Sequence, residues 1–525
     1  MRAILALLLC LIASAAQAQN PTCPTRPAGQ SDNSCASTAF VQQNPLISIA
    51  AFGGRGDNTV DNTTPLNNAL AALTGTGGCV YFPPGKYRFN TSVSFTYPSG
   101  TFSVCILGAS QDSTILTWPS AAGGLAFTLN GIGSSIHIRD MTLTTGTTSG
   151  GNAILIQSSF ANANPAVTAI SDIYRVVIRG DDQYAAFADW WTVGVNVANV
   201  SNIQFENMTI QGPATPNGTG INLLGLPGSS TFGVEYNVAK SNFNNLTTGI
   251  VYGSFIQGVT IDQTSFTSNN GTSNGISVPA AQTGLLSELT ITNSQFNVPT
   301  NALVFSTALG NVLISDSLCI ARANSNCFSL GNSPTFNLTG NELASSSTTG
   351  TNGIIVGGSG GNGIILGNVI AGFATGVTLQ ANASNVIVSE NVYSGNTANI
   401  SNASNAANNT GFDLPWLAYT SAPSCGNATI TNNSSRFRTV GKTTFIELDL
   451  TITALGTCTG TTFAIALPNT AQSAGAISGQ EVANNSNSVA CRITAGGNTS
   501  GCFKAAANAF AANDRLVVSG VYENQ

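Results

Sequence analysis

The chain has 525 residues, enough for a sizeable core and more than one folded unit. Only 7% of them are Asp, Glu, Lys or Arg, with a net charge of −6, where an average domain carries roughly 25%. No Lys/Arg cluster is available to neutralise phosphates, which argues against nucleic acid as a partner. The surface must be built largely from Asn, Thr, Ser and Gln, whose side chains both donate and accept hydrogen bonds and suit sugar hydroxyls.

Residues 1–18 read as a secretory signal peptide: Arg2 is followed by an apolar run from Ile4 to Ala15 and the small-residue site Ala16-Gln17-Ala18. No later segment is apolar for the ~18 residues a membrane span needs. The expected location is therefore outside the cytoplasm, extracellular or periplasmic. Once Cys10 leaves with the leader, ten of the eleven cysteines remain. They fall in local pairs: Cys23 with Cys35, Cys79 with Cys105, Cys319 with Cys327, Cys425 with Cys458, and Cys491 with Cys502. Five local disulfides are expected.

Residues 19–46 form a polar leader segment. From there the pattern turns to β structure, interrupted by one predicted helix. Thr63 or Thr64 caps it, Pro65 suits its first position, and Leu66, Ala69, Leu70 and Leu73 form one apolar stripe. Val80 to Phe82 is strand-like and Pro83-Pro84-Gly85 forces a turn. Short alternating runs such as SSIHIRDMTL, SDIYRVVIRG, LSELTITNSQF and SNVIVSENVY then recur between Gly/Asn/Ser turns. Asn293, Asp316, Asn341, Asn368 and Asn391 follow one another at intervals of 23 to 27 residues, about one coil of a stacked β-solenoid. The predicted class is all-β. Residues 47–410 form a right-handed parallel β-helix whose open front the helix covers. Residues 411–525 form a small antiparallel, jelly-roll-like β-sandwich.

At residues 53–87 the chain resembles the pectate lyase superfamily, in Gly56-Asp57-Asn58, Asp61-Asn62-Thr63 and Phe82-Pro83-Pro84-Gly85-Lys86-Tyr87. Asn58 stands where that pattern has glycine and Asn62 where it has aspartate. Residues 26–42, RPAGQSDNSCASTAFVQ, are similar to a segment of phage tail fibres, and residues 436–525 resemble modules that follow tailspike-like β-helices. The resemblance implies a β-helix and a carbohydrate ligand; its members include hydrolases, lyases, epimerases and tailspikes, so it leaves the reaction open. A tailspike-like fibre would be a homotrimer.

A glycosidase needs two carboxylates at set spacing. Asp182 and Glu206 lie 24 residues apart, about one coil, and Glu235 follows a longer coil later. Asp181-Asp182 precedes the aromatic residues Tyr184, Phe187, Trp190 and Trp191. The candidate catalytic residues are thus Asp181, Asp182, Glu206 and Glu235, with Tyr184, Trp190, Trp191, Arg175 and Arg179 as substrate-binding residues. A lyase-type cluster of Arg175 and Arg179 with Asp172 and Asp181-Asp182 stays open. It is the one reading that would call for Ca²⁺; no cofactor or metal site is otherwise expected. His137, the only histidine, sits in an alternating strand and reads as structural. The expected function is a secreted polysaccharide depolymerase, hydrolase ahead of lyase. The alternatives are a non-catalytic carbohydrate-binding adhesin and a tailspike-like structural protein.

Overall fold

The computed structural model describes residues 46–524 apart from short loop segments, the longest being 159–168, 226–232 and 280–287. The expected signal peptide and the polar leader up to residue 45 lie outside the described residues. So do Cys23 and Cys35, and the disulfide expected between Cys23 and Cys35 falls outside them too.

Alternating strands bury every second side chain, and parallel stacking lets each coil bury the same positions as its neighbours. The result is a solenoid of about 11 turns with three strand faces. Face one runs through Cys79, Cys105, His137, Asp172 and Gln204 in laterally paired strands. Face two follows it around a sharp corner, and face three is a separate 12-stranded sheet. All solenoid pairings are parallel.

The corner between faces one and two has one physical rule. In ten successive coils it is occupied by Asp140, Arg175, Asn207, Lys240, Gln263, Asn293, Asp316, Gly340, Gly367 and Glu390, every one with φ between 47 and 67°. One left-handed residue per coil turns the chain there. The following position is apolar in the first three of these coils (Met141, Val176 and Met208) and polar from Ser241 onward, where it links the coils: Ser294 N–H donates to Ser317 Oγ (3.1 Å), Ser317 N–H to Asn341 Oδ1 (3.1 Å), Asn341 N–H to Asn368 Oδ1 (3.0 Å), Asn368 N–H to Asn391 Oδ1 (3.0 Å) and Asn391 N–H to Asp413 Oδ2 (2.9 Å). The single column expected from sequence is therefore two adjacent columns. Asn293 and Asp316 make the turn, whereas Asn341, Asn368 and Asn391 make the ladder. The spacing rule slips by one residue because Gly340, not Asn341, follows Asp316 at the corner.

The interior is a single apolar column. Phe243, Phe266 and Phe296 stack face to face at 5.0 and 4.9 Å. Gly249 makes room for that stack: a Cβ there would stand 2.5 Å from Phe266 Cδ1 and 2.6 Å from the Gly275 carbonyl oxygen. At the front, the helix Thr63–Ala72 adds Pro65, Leu66, Ala69 and Leu70 to the core. Its cap differs from expectation. Asp61 Oδ1 accepts from Thr63 N–H (3.0 Å) and Thr63 Oγ1 (2.6 Å), and Thr63 is already helical. The fully buried Asn62 accepts from Arg55 N–H (2.8 Å) and donates to the Val60 (2.9 Å) and Arg88 (3.2 Å) carbonyls, a double role an aspartate could not fill.

After the solenoid, the antiparallel β unit is one eight-stranded sheet curled into a half-barrel. It has its own core of Ile446, Leu448, Leu450, Ile477, Val489, Leu516 and Val518. Disulfides join Cys79–Cys105, Cys319–Cys327, Cys425–Cys458 and Cys491–Cys502. These are four of the five expected pairs, Cys23 with Cys35 being the fifth.

Candidate functional site

On face one, outward positions of three consecutive coils align as His137, Asp172 and Gln204 in one column and Arg139, Tyr174 and Glu206 in the next. Alternation sends Ile138, Ile173 and Phe205 inward to the core and forces their neighbours out. The columns border a groove of about 310 Å³ lined by Arg139, Asp172, Ile173, Tyr174, Gln204 and Glu206.

Asp172 is the hub. Arg139 grips it with two bonds, Nε to Oδ1 at 2.7 Å and Nη2 to Oδ2 at 2.6 Å. His137 Nδ1 meets the same Oδ2, and His137 Nε2 lies 3.2 Å from Ser135 Oγ. Burial opposes ionisation of Asp172, but the hydrogen bonds and charges of His137 and Arg139 outweigh it and hold its pKa at about 2. The carboxylate stays charged and fixes the ring of His137.

Two corner residues extend this strip. Arg175 pairs with Asp140 in the preceding coil, and Lys240 Nζ lies 2.9 Å from Glu206 Oε1. In all three ion pairs the cation is the more exposed partner: Arg139 at 45% over Asp172 at 13%, Arg175 at 46% over Asp140 at 16%, Lys240 at 52% over Glu206 at 37%. The three pairs balance in charge, and their cationic members are the more exposed.

The expected site residues separate. Glu206 is in the groove. Asp182 is not stacked with it: the coils here run over 30 residues, and Glu206 pairs laterally with Tyr174 and Ala239. A spacing of 24 therefore does not make one coil. Glu235 is exposed, at φ 62°, and is not the residue paired with Glu206. Asp182 closes its own loop, accepting from Ala188 N–H (2.9 Å) and Asp189 N–H (3.1 Å). Asp181 lies beyond face two, bound by Lys86 Nζ at 2.8 and 3.0 Å. Asp189, beside them, has its pKa raised by burial and then by the charges of Asp182 and Asp181. Arg175 meets Asp140 rather than Asp172, and Arg179 donates from Nη1 to the Gly180 carbonyl at 2.9 Å. Trp191 is 3% exposed and packs edge to face on Trp118 at 5.9 Å, so it is a core residue rather than a sugar platform. Trp190 is half-buried beside it, and Tyr184 lies outside the described residues. His137, Arg139 and Tyr174 were missed as site residues, although His137 and Arg139 share the outward parity of one short strand.

Calcium needs about six to eight oxygen ligands. The groove carboxylates Asp172 and Glu206, and Asp140 at the adjoining corner, each face a cation instead, and among the described residues no three His, Cys, Asp or Glu converge on one point. The groove does not fit a calcium ion.

Residues 46–276 match the family described as rhamnogalacturonase A/epimerase, pectate lyase-like. The Dettilon tailspike protein is similar in structure, with a TM-score of 0.64 at 13% identity over 94% of this chain and 98% of that one. An Acinetobacter phage tailspike matches with a TM-score of 0.47 at 13% identity, covering 89% and 85% of the two chains. The A-module of a mannuronan C-5 epimerase from Azotobacter vinelandii matches at 0.46 and 14%, covering 70% and 100%. No curated protein sequence matches. The chain folds as a right-handed parallel β-helix like that of these proteins, and residues 46–276 are similar to the pectate lyase-like family.

Proposed function

We propose that this is an exported enzyme that cleaves acidic polysaccharide by β-elimination in the face-one groove. The observation that carries the reading is the row of outward cations, Arg139, Arg175 and Lys240, along successive coils, with His137 at its start sharing Asp172 with Arg139. Elimination removes a proton next to a uronate carboxylate. Cations that neutralise the carboxylate acidify that proton, and a positioned base takes it, worth ~10²–10⁴-fold in rate. His137 is the base in this reading. The ionised Asp172 stabilises the imidazolium that forms, and Tyr174, which lines the groove, is the proton donor to the leaving oxygen in this reading. Hydrolysis in this groove would need a carboxyl with a raised pKa to act as acid. Asp172 is held low, and Glu206 is paired with Lys240. The order of lyase and hydrolase is thereby reversed from the sequence expectation. The name of the matching family supports carbohydrate as the ligand class, and four disulfides support export.

Hydrolysis keeps one supporting observation, the raised Asp189 beside Asp181, an arrangement that separates an acid from a base. Incubation with a panel of acidic and neutral polysaccharides decides. Unsaturated products support elimination, new saturated reducing ends support hydrolysis at Asp189, and binding with neither supports an adhesin. Sedimentation tests the homotrimer that a tailspike-like assembly would form.

A further inference from the structure

The C-terminal sheet buries a charged triad that the groove chemistry does not use. Lys504 ends the strand Thr499–Lys504, Glu481 ends Gly475–Glu481, and Asp514 immediately precedes Arg515–Glu523. Lys504 Nζ is 2.6 Å from Asp514 Oδ2 and 3.0 Å from Glu481 Oε2, with side-chain exposures of 3% for the lysine and 1% for each acid. The Phe510 ring lies 5.0 Å from Nζ and is itself buried. Ala511 N–H donates to Asp514 Oδ2 at 2.7 Å, and Asn487 Nδ2 donates to Glu481 Oε2 at 2.9 Å. Glu481 Oε1 is buried with no hydrogen-bond partner. One ammonium against two carboxylates leaves an uncompensated buried charge, which is strongly disfavoured unless the acids retain a proton between them.

We infer that Lys504 and Asp514 are joined by an intramolecular amide bond, with Glu481 as the proton carrier. Burial works against the Lys504 ammonium, but the hydrogen bonds and charges of Asp514 and Glu481 outweigh it and hold its pKa above the ordinary value, so the step begins when one Nζ proton passes to the Asp514 carboxylate, giving an amine beside a carboxylic acid. The Nζ lone pair attacks Cγ of Asp514. Glu481 takes a proton from Nζ and delivers one to the departing carboxyl oxygen. The Nζ–Cγ bond forms, a Cγ–O bond breaks, and one water leaves. An ammonium and a carboxylate thus become an amide plus water, with no change of oxidation state. The buried contact holds the two groups together permanently, so the entropy of bringing them together is already met by folding. The product fastens the start of the last strand, Arg515–Glu523, to the end of Thr499–Lys504, a strand of the same sheet with which it does not pair. It protects against loss of that strand in an exported protein, where unfolding rates govern lifetime.

The test is peptide mapping of the full-length protein after reduction, alkylation and trypsin digestion. Amide formation blocks cleavage after Lys504, so residues 493–515 should appear as one peptide, about 18 Da light by the loss of one water. In Glu481→Gln, cleavage after Lys504 returns and the mass deficit disappears. Lys504→Arg gives the same unlinked result should the glutamine variant fail to fold. Cleavage of the wild type into 493–504 and 505–515 at unshifted masses overturns the proposal. A dehydrated peptide still cut after Lys504 also overturns it, because the water then came from Asp514 alone.

Discussion

Arg139 and Asp172 meet across adjacent coils in a two-point grip, Nε on Oδ1 at 2.7 Å and Nη2 on Oδ2 at 2.6 Å. That planar match holds the carboxylate that in turn holds His137. Asp172→Asn should therefore lower turnover by ~10²–10⁴-fold while the fold persists. Arg139→Lys should lose much of the activity too, because an ammonium cannot copy the two-point geometry. Initial rates on a cleavable acidic polysaccharide, with far-ultraviolet circular dichroism as the fold control, measure both. Unchanged turnover in Asp172→Asn would remove Asp172 from the account.

The same pair makes stability depend on pH. The Asp172 pKa is held at about 2 in the folded protein against an ordinary 3.8. The folded state therefore binds fewer protons than the unfolded chain between these values. Its stabilising contribution is complete above about pH 3.8 and is lost as pH falls towards 2. Denaturant midpoints of the wild type and Asp172→Asn should differ near neutral pH and converge in acid. A difference that stays constant down to the acid limit would show that Asp172 is not paired as described.

The ladder next to the corner predicts a graded series. Asn368 is fully buried; it donates to Leu338 O (3.0 Å) and Asn391 Oδ1 (2.9 Å), and its Oδ1 accepts from Asn341 N–H (3.0 Å) and Nδ2 (2.9 Å). Asn368→Ala strands several buried groups and should destabilise by on the order of 3 kcal/mol. Asn368→Ser should lose less, since Ser294 and Ser317 fill the equivalent position in earlier coils. Equilibrium unfolding orders the two variants, and equal losses would contradict the ladder.

The aromatic stack gives an independent check of coil register. Gly249→Ala drives a methyl group to 2.5 Å from the Phe266 ring and should destabilise by roughly 1–3 kcal/mol through overpacking. Gly367, at φ 66° with nothing near its missing Cβ, should instead respond through backbone strain alone. A thermal shift for Gly249→Ala no larger than for an exposed loop glycine would argue against the stack.

The fold was legible because the coils repeat one pattern: alternation, a corner residue and, from Ser241 onward, a buried polar residue after it. The front helix, four disulfides and the antiparallel C-terminal unit could be read in the same way. The site was not. Coil length varies from 23 to over 30 residues, so a fixed spacing could not place Asp182, Glu206 and Glu235 relative to one another. The pairing of His137 with Asp172 crosses 35 residues, a separation that no local motif marks. Trp191 shows the converse, since a surface-looking Asp/Trp loop can turn one indole into the core. The usable sign was parity: residues 137 and 139 share one face of a strand whose alternate positions are apolar.

The most direct measurement of the central claim follows unsaturated product formation from acidic polysaccharides by ultraviolet absorbance, in the wild type, His137→Gln and Asp189→Asn. The groove account predicts product from the wild type and from Asp189→Asn, and none from His137→Gln. Saturated reducing ends that persist in His137→Gln and vanish in Asp189→Asn would contradict it.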